Sequence, residues 1–201
     1  MSSRLFIAPR RVPQQQRGRR RVAGLLEAAA CVISEVGYGP ATMAAIAERA
    51  ESSIGSLYQF FPNKESVAEA LRAQYVRELE KLWSALAAEA RRLTLEELVS
   101  HLIRSQIKFA EGHPALLALF EAPPTTNTVR RRLIIRRQIA RVILARRPDM
   151  STRSVVRLSG VVQQIVSGLL RLYAQAEKKK ERAAIVGEFK AVLTGYLTLR
   201  L

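Results

Sequence analysis

The sequence is poor in the residues from which most active sites are built. Cysteine occurs once, as Cys31, histidine twice, as His101 and His113, and aspartate once, as Asp149. A single cysteine excludes an intrachain disulfide and a cysteine-based zinc site. The two distant histidines exclude a HExxH metal motif, and nothing near Asp149 completes a catalytic triad. We therefore expect no enzyme, no metal site and no cofactor.

Phosphate-binding loops and membrane segments are also missing from the sequence. Neither GxxxxGK[ST] nor GxGxxG occurs. The longest uncharged run, 158–170, has 13 residues, whereas a membrane span needs about 20. The N-terminal segment lacks the apolar stretch of a secretory signal. We therefore expect a soluble protein of the cytosol without a membrane partner.

Positive charge is what the sequence has in excess. Lysine and arginine number 33 against 17 acids in 201 residues, which gives a formal net charge of +16. A chain this basic seeks a polyanion, such as nucleic acid, an anionic membrane surface or an acidic partner. The first 21 residues hold seven arginines and no acid. Because Pro9, Pro13 and the glutamine run 14–16 oppose a helix, residues 1–18 are predicted to form a flexible basic arm.

Beyond this arm, apolar residues recur at helical spacing. The first predicted helix runs from about Arg19 to Val36, and Thr42, Ser53 and Asn63 are the predicted N-caps of the three helices that follow. Further helices are predicted at about 94–112, 115–121, 128–146, 151–176 and 181–199. No segment shows the alternation of a strand. The prediction is an all-α protein of about nine helices.

Two short helices joined by a tight turn in a basic segment indicate a helix-turn-helix. The second helix of such a pair lies in the major groove of DNA, so its exposed residues must be short or polar to let the backbone approach the bases. Ser53, Gly55 and Ser56 meet that requirement. The residues predicted to reach phosphates are Tyr58, Gln59 and Lys64.

The stretch from Gly37-Tyr38 through Ala41-Thr42-Met43 to Ser53-Ile54-Gly55-Ser56-Leu57-Tyr58-Gln59-Phe60-Phe61-Pro62-Asn63-Lys64-Glu65 closely resembles the DNA-binding domain of the TetR family of bacterial transcriptional repressors. The similarity covers roughly residues 20–66, and the rest of the chain matches in architecture. The resemblance implies a three-helix DNA-binding domain over residues 19–66. It also implies a helical ligand-binding and dimerisation domain over residues 67–201.

The resemblance also assigns roles to individual residues. Residues implied to face bases are Ser53, Ile54, Gly55 and Ser56, and those implied to contact phosphates are Thr42, Tyr58 and Lys64. A basic extension that follows the DNA backbone or enters the minor groove would comprise Arg17, Arg19, Arg20 and Arg21. Two residues depart from the family pattern. Glu51 stands where the turn usually has glycine, and Ser52 stands where an apolar residue usually packs beneath the reading helix.

The predicted helix over 151–176 is apolar on more than one face, so either its own domain or a second copy of the chain must cover it. The resemblance implies that the last two helices pair in a four-helix dimer interface. The candidate interface residues are Val161, Val162, Ile165, Leu169, Phe189 and Leu193. It also implies a small-molecule effector, apolar or anionic, for which the candidate contacts are Trp83, Phe109, His113, Phe120 and Tyr173. Aromatic residues at helical spacing also fit an ordinary core.

The function so implied is a ligand-responsive repressor that binds a palindromic DNA operator as a homodimer in the bacterial cytosol, associated with the nucleoid. A rival interpretation is a sequence-tolerant, nucleoid-like DNA-binding protein, which the net charge alone would allow. A helical enzyme and a peripheral membrane protein are weaker alternatives. Eight arginines between 130 and 147 form either a solvated helix face or a surface for an anion or partner. Cys31 is predicted to be a small core residue.

Overall fold

The fold is known from a computed structural model, which describes residues 16–122 and 126–201 and leaves the side chains of residues 120, 121 and 126 undescribed. Its helices are α1 Gln16–Val36, α2 Met43–Arg49, α3 Ile54–Phe60, α4 Lys64–Glu89, α5 Leu95–Gly112, α6 Ala115–Glu121, α7 Thr126–Arg146, α8 Thr152–Gln175 and α9 Lys179–Thr198. No strand occurs in these ranges, and the all-α prediction is confirmed.

The predicted basic arm falls mostly on residues 1–15, which lie outside the described residues. Its last residues, including Arg17, belong to α1, because this helix begins at Gln16 rather than at Arg19. The prediction placed this helix start too late, since it followed the apolar stripe and the first residues of α1 are polar and arginine-rich.

The polar residues at helix starts act as N-caps. Thr42 Oγ1, Ser53 Oγ and Asn63 Oδ1 each accept a hydrogen bond from the backbone N–H three residues later, at 3.1, 3.2 and 2.8 Å. These bonds satisfy donors that a helix start leaves without intrahelical partners. The three predicted N-caps are confirmed, and with them the positions of α2, α3 and α4.

The chain divides into two compact units. The described part of the first comprises residues 16–75, 113–122 and 126–128, and within it α1 packs on α2 and α6 while α2 packs on α3. Its core contains fully buried side chains from four elements: Ile33, Ile46, Leu57, Phe61 and Val67. Burying a side chain of this size stabilises a fold by about 1.5–3 kcal/mol. The packing of α1 and α2 therefore fixes the position of α3.

The second unit comprises residues 76–112 and 129–201, in which α5, α8 and α9 pack on one another. Its core includes one side of α8, with Val155, Leu158, Val162, Val166 and Leu169 buried. By length and composition alone α8 could also cross a membrane, although 39% of its apolar 18-residue stretch is buried inside the protein. The length of the longest uncharged run, on which the prediction relied, did not reveal that α8 is long and apolar enough for this.

Cys31 lies at the surface of α1, and the prediction that it is a core residue is wrong. The buried side of α1 is formed by Leu25, Leu26, Ala28, Ala29, Val32 and Ile33. The helical rotation from this stripe carries Cys31 to the solvent side. Its small apolar neighbours in sequence therefore misled the prediction.

Candidate nucleic-acid interface

The turn between α2 and α3 is tight and contains one residue in the left-handed region. Glu51 has a φ of 47°, and the Ser52 N–H donates to the carbonyl of Ala47 at 2.9 Å. Left-handed backbone costs a residue with a side chain about 1–2 kcal/mol. Glu51, noted above as a replacement for glycine, therefore occupies a position that favours glycine.

The N-terminal half of α3 presents short side chains to solvent. Ser53, Ile54 and Gly55 are exposed, and no atom lies within 4 Å of the place where a Cβ on Gly55 would stand. Leu57 is fully buried and holds the opposite side of α3 on the core. Ser56, predicted to face bases, is only half-exposed. This surface allows a close approach to another molecule along the first turn of α3.

Arg21 joins α1 to α3. Its Nε donates to Ser56 Oγ at 3.2 Å, and its Nη2 donates to Ser52 Oγ at 3.1 Å. The other arginines of the predicted basic extension, Arg17, Arg19 and Arg20, are exposed. None of these three forms a hydrogen bond with any residue in 16–122 or 126–201.

Lys64 is also engaged within the first unit. Its Nζ donates to the carbonyl oxygens of Tyr38 and Gly39 at 2.9 and 2.7 Å, and it lies 4.7 Å from the centroid of the Tyr38 ring. These bonds tie the start of α4 to the loop between α1 and α2. They leave a single N–H of the ammonium group for any further partner. Burial, and secondly the charge of Glu65, raises the pKa of the Tyr38 hydroxyl.

The remaining predicted phosphate contacts are accessible. Thr42, Tyr58 and Gln59 are exposed, and Tyr58 retains 44% of its surface. The oxygen of Thr42 accepts the N-capping bond of α2, which leaves its hydroxyl hydrogen to donate elsewhere. These residues and Lys64 belong to the same unit as α3.

The first unit contains two ion pairs that the sequence analysis did not single out. Arg49 of α2 donates to both carboxylate oxygens of Glu35 in α1, at 2.8 and 2.6 Å, and this bonding lowers the pKa of Glu35. Glu69 and Arg72 form a pair at 3.2 Å with side chains only 6% and 13% exposed. The pair of Arg49 with Glu35 joins residues 14 apart and leaves no periodic signal in a sequence. Glu69 and Arg72 are three residues apart on α4, a spacing that could have indicated their pair.

The predicted effector contacts are distributed over the two units. Trp83, Phe109 and Tyr173 belong to the second unit, whereas His113 belongs to the first and stacks edge-on against Tyr75, with ring centroids 4.7 Å apart. The side chain of Phe120 lies outside the described part of the structure.

Tyr173 is hydrogen-bonded within the second unit. Its hydroxyl donates to Glu111 Oε1 at 2.8 Å, and burial and then this carboxylate raise the pKa of the hydroxyl. Trp83, by contrast, is 2% exposed and packs as a core residue.

Sequence reasoning missed Gln106 of α5. This side chain is 3% exposed, and its Nε2 has no hydrogen-bond partner among residues 16–122 and 126–201. Its neighbours on the buried side of α5 are apolar: Leu98, Val99, Leu102, Ile103 and Ala110. A buried donor left unsatisfied costs about 1–3 kcal/mol. The helical spacing of Gln106 with its apolar neighbours is the signal that could have located it.

A cavity of about 410 Å³ lies elsewhere in the second unit, near the start of α8 and the end of α9. It is lined in part by Arg147, Arg157, Tyr196 and Arg200. Arg147 is paired with Asp149 at 3.1 Å. No predicted effector contact lines this cavity. Within the described ranges no three His, Cys, Asp or Glu side chains group as a metal site.

The arginines of α7 bond in part to neutral acceptors. Arg146 donates to the carbonyl oxygens of Ala90 and Leu93 at 2.9 and 2.6 Å, and Arg136 donates to Gln163 at 2.9 Å. Hydrogen bonds to neutral groups do not neutralise the positive charge of these arginines. Arg130, Arg132 and Arg137 are exposed, so α7 presents both a structural and a solvated set of arginines.

The predicted dimer residues divide by burial. Val162, Leu169 and Leu193 are at most 3% exposed within a single chain. Val161, Ile165 and Phe189 are half-buried, and the Phe189 ring packs against Gly168. Exposed apolar residues on α8 and α9 include Leu172 and Val192, which retain 47% and 51% of their surface.

Two family models match this chain. That of the bacterial regulatory proteins of the tetR family matches residues 25–71, and that of the tetracyclin repressor-like C-terminal domain matches residues 94–197. This chain belongs to the TetR family. It is a DNA-binding transcriptional regulator with an N-terminal helix-turn-helix domain and a helical C-terminal domain. TetR-family regulators are soluble DNA-binding proteins and are in general not enzymes.

Solved structures share the fold of this TetR-family chain. A TetR-family transcriptional regulator from Streptomyces coelicolor is 23% identical, with a TM-score of 0.66, over 90% of this chain and 99% of that one. FadR from Bacillus subtilis, solved in complex with stearoyl-CoA, is 16% identical, with a TM-score of 0.69, over 86% of this chain and 97% of that one. A search of curated proteins gives no match. At these identities the likeness concerns the fold alone.

Proposed function

We propose that the protein is a ligand-responsive repressor of the bacterial cytoplasm that binds a palindromic operator as a homodimer. Residues 19–66 would read the DNA, and residues 67–201 would bind the effector and dimerise. The observation that carries this proposal is the surface of α3, where the exposed Ser53, Ile54 and Gly55 are backed by the fully buried Leu57. A helix so held can enter the major groove without moving the core.

Each side chain of this surface has a role that its chemistry allows. Ser53 can donate to or accept from base edges, Ile54 fits the methyl group of thymine, and Gly55 lets the backbone approach closely. Around them, Thr42, Tyr58, Gln59 and the remaining N–H of Lys64 would bind phosphates. Phosphate contacts fix the position of the protein on the duplex, whereas base contacts determine the sequence it prefers.

The homodimer would use the exposed side of α8 and α9. Because Val162, Leu169 and Leu193 are already buried in one chain, we assign direct contact to Val161, Ile165 and Phe189, extended by Leu172 and Val192. Stable interfaces bury about 1,200–2,000 Å² in total. Two-fold pairing would place the two α3 helices in successive major grooves, about 34 Å apart.

The effector would be apolar with a hydrogen-bond acceptor. The Nε2 of Gln106 is buried among apolar residues and has no partner in the described part of the chain, so such a molecule would satisfy this donor. A protein of the same fold is known in complex with stearoyl-CoA, which combines an apolar chain with a carbonyl group. The effector would release DNA only if it binds the DNA-free conformation more tightly than the DNA-bound one.

The rival function, a sequence-tolerant DNA-binding protein, is supported by the net charge of +16. Anisotropy titrations distinguish the two. The duplexes are a palindrome selected by the protein from a random pool and a scrambled duplex of the same length, each measured across a salt series. We expect tight binding to the palindrome that Tyr58→Ala weakens. Equal, steeply salt-dependent binding to both duplexes would establish the rival instead.

A further inference from the structure

Arg21 of α1 bonds both to α3 and to the turn before it. Arg21 donates from two nitrogens of its guanidinium group, to Ser56 Oγ at 3.2 Å and to Ser52 Oγ at 3.1 Å. Ser52 belongs to the turn before α3, and Ser56 lies on the first turn of α3. The planar guanidinium therefore bridges the turn and the helix from a third element.

The bridge adds a directional restraint on sliding and rotation of α3 to the apolar packing of the core. The buried Leu57 holds α3 against the core, and apolar packing by itself has no directional preference. Two hydrogen bonds from one rigid, planar donor have a defined geometry, so they limit both movements. The restraint matters here because Ser52 is polar and half-exposed, and contributes little apolar packing beneath α3.

The bridge also determines how the hydroxyl group of Ser56 can bond to other molecules. Its oxygen accepts from Arg21, and it donates to no residue within the described ranges. A hydroxyl whose oxygen already faces a cationic donor is best used as a donor itself. On the major-groove edge the matching acceptors are purine N7, guanine O6 and thymine O4.

We propose that Arg21 is a positioning residue for DNA reading. It fixes α3 relative to α1 and leaves Ser56 as a donor to a base acceptor, and it does not serve as a phosphate contact like its neighbours. The inference rests on the proposed function, because it concerns how α3 reads an operator. Arg20 is the matched comparison, since it is also exposed on α1 but forms no hydrogen bond with a described residue.

The first test needs no DNA. Urea unfolding of the wild type, Arg21→Met, Ser56→Ala and the double variant forms a double-mutant cycle. Methionine keeps an apolar stem of similar length and removes the donors. Each variant should lower the equilibrium constant for folding by some factor. We expect the factor for the double variant to be about fivefold smaller than the product of the two single-variant factors, which is the size of one hydrogen bond. Independent, multiplicative losses would overturn the bridge.

The second test measures binding to the selected palindrome and to the scrambled duplex across a salt series. A phosphate contact contributes to both duplexes and to the salt slope, so we expect Arg20→Met to weaken both equally and lower the slope by about one. Arg21→Met should instead reduce the preference for the palindrome about tenfold, which is the cost of one mispositioned base contact, and should lower the slope less than Arg20→Met does. Ser56→Ala should reduce the same preference, and the double variant should reduce it no further.

A uniform loss on both duplexes for Arg21→Met, with a slope as low as that of Arg20→Met, would overturn the proposal, because Arg21 would then be a phosphate contact. A wild type that prefers neither duplex would refute the proposed function. In that case the unfolding cycle still decides whether the bridge exists, so the two failures are distinguishable.

Discussion

Replacing Glu51 by glycine should stabilise this protein. Glu51 has a φ of 47°, where a residue with a Cβ is disfavoured by about 1–2 kcal/mol. Its side chain is exposed and forms no hydrogen bond or ion pair with any described residue. Removal of this side chain therefore breaks no contact, and the strain relief is partly offset by the greater freedom of glycine in the unfolded chain, about 0.5–1 kcal/mol.

The net gain is about 0.5–1 kcal/mol in the free energy of unfolding. For a chain of this size that corresponds to a rise in Tm of about 1–4 °C. The assay is urea unfolding followed by circular dichroism, with Glu48→Gly as the matched control. Glu48 lies inside α2, where glycine costs about 1 kcal/mol, so the control should lose stability.

A loss of stability in Glu51→Gly would refute the reasoning, because it would show that the turn carries no strain that glycine relieves. Unequal m-values for the variant and the wild type would point to a change in the unfolded state instead. Removal of a negative charge beside α3 should also strengthen binding to any duplex slightly, with a small effect at high salt.

Three further variants test other parts of the structure. Gln106→Leu removes a buried amide whose Nε2 has no partner among the described residues, so the free energy of unfolding should rise by about 1–3 kcal/mol. DNA release by an acyl-CoA should weaken in the same variant. A lower free energy of unfolding in urea would contradict the first expectation. Arg146→Met removes bonds to two backbone carbonyls and should cost about 1.5–3 kcal/mol by the same measurement, whereas Arg137→Met should change little. The bonding of Glu35 to Arg49 lowers the pKa of Glu35 from its ordinary value of 4.5. The ionised carboxylate of Glu35 therefore stabilises the folded protein above pH 4.5, and this stabilisation is lost as the pH falls through the lower pKa of the folded state. Below pH 4.5, the free energy of unfolding of Glu35→Gln should depend less on pH than that of the wild type. Identical curves of stability against pH would exclude this pair as a cause of the pH dependence.

Local features of the fold were predictable from the sequence because the signals that determine them are local. Thr42, Ser53 and Asn63 cap helices through bonds that span three residues, and a short window of sequence contains both partners. The left-handed turn at Glu51 could be anticipated for the same reason, once the resemblance had assigned a glycine to that position.

Contacts between distant residues were not predictable. The bonds from Arg21 to Ser52 and Ser56 span 31 and 35 residues, and the pair of Glu35 with Arg49 spans 14. No periodicity encodes such a partner, so Arg21 was indistinguishable from the arginines beside it. The sequence also did not show which apolar residues are buried within a single chain. Leu169, an expected dimer contact, is fully buried, because α5, α8 and α9 already pack on one another.

Hydroxyl-radical footprinting of the full-length protein on the selected palindrome tests the central claim most directly. A homodimer that inserts one α3 into each of two successive major grooves should protect two backbone patches on each strand. These patches should be related by the two-fold axis and separated by about one helical turn, 10 base pairs. Tyr58→Ala should weaken both patches together. Uniform protection along the duplex, or a single patch without two-fold symmetry, would contradict the account.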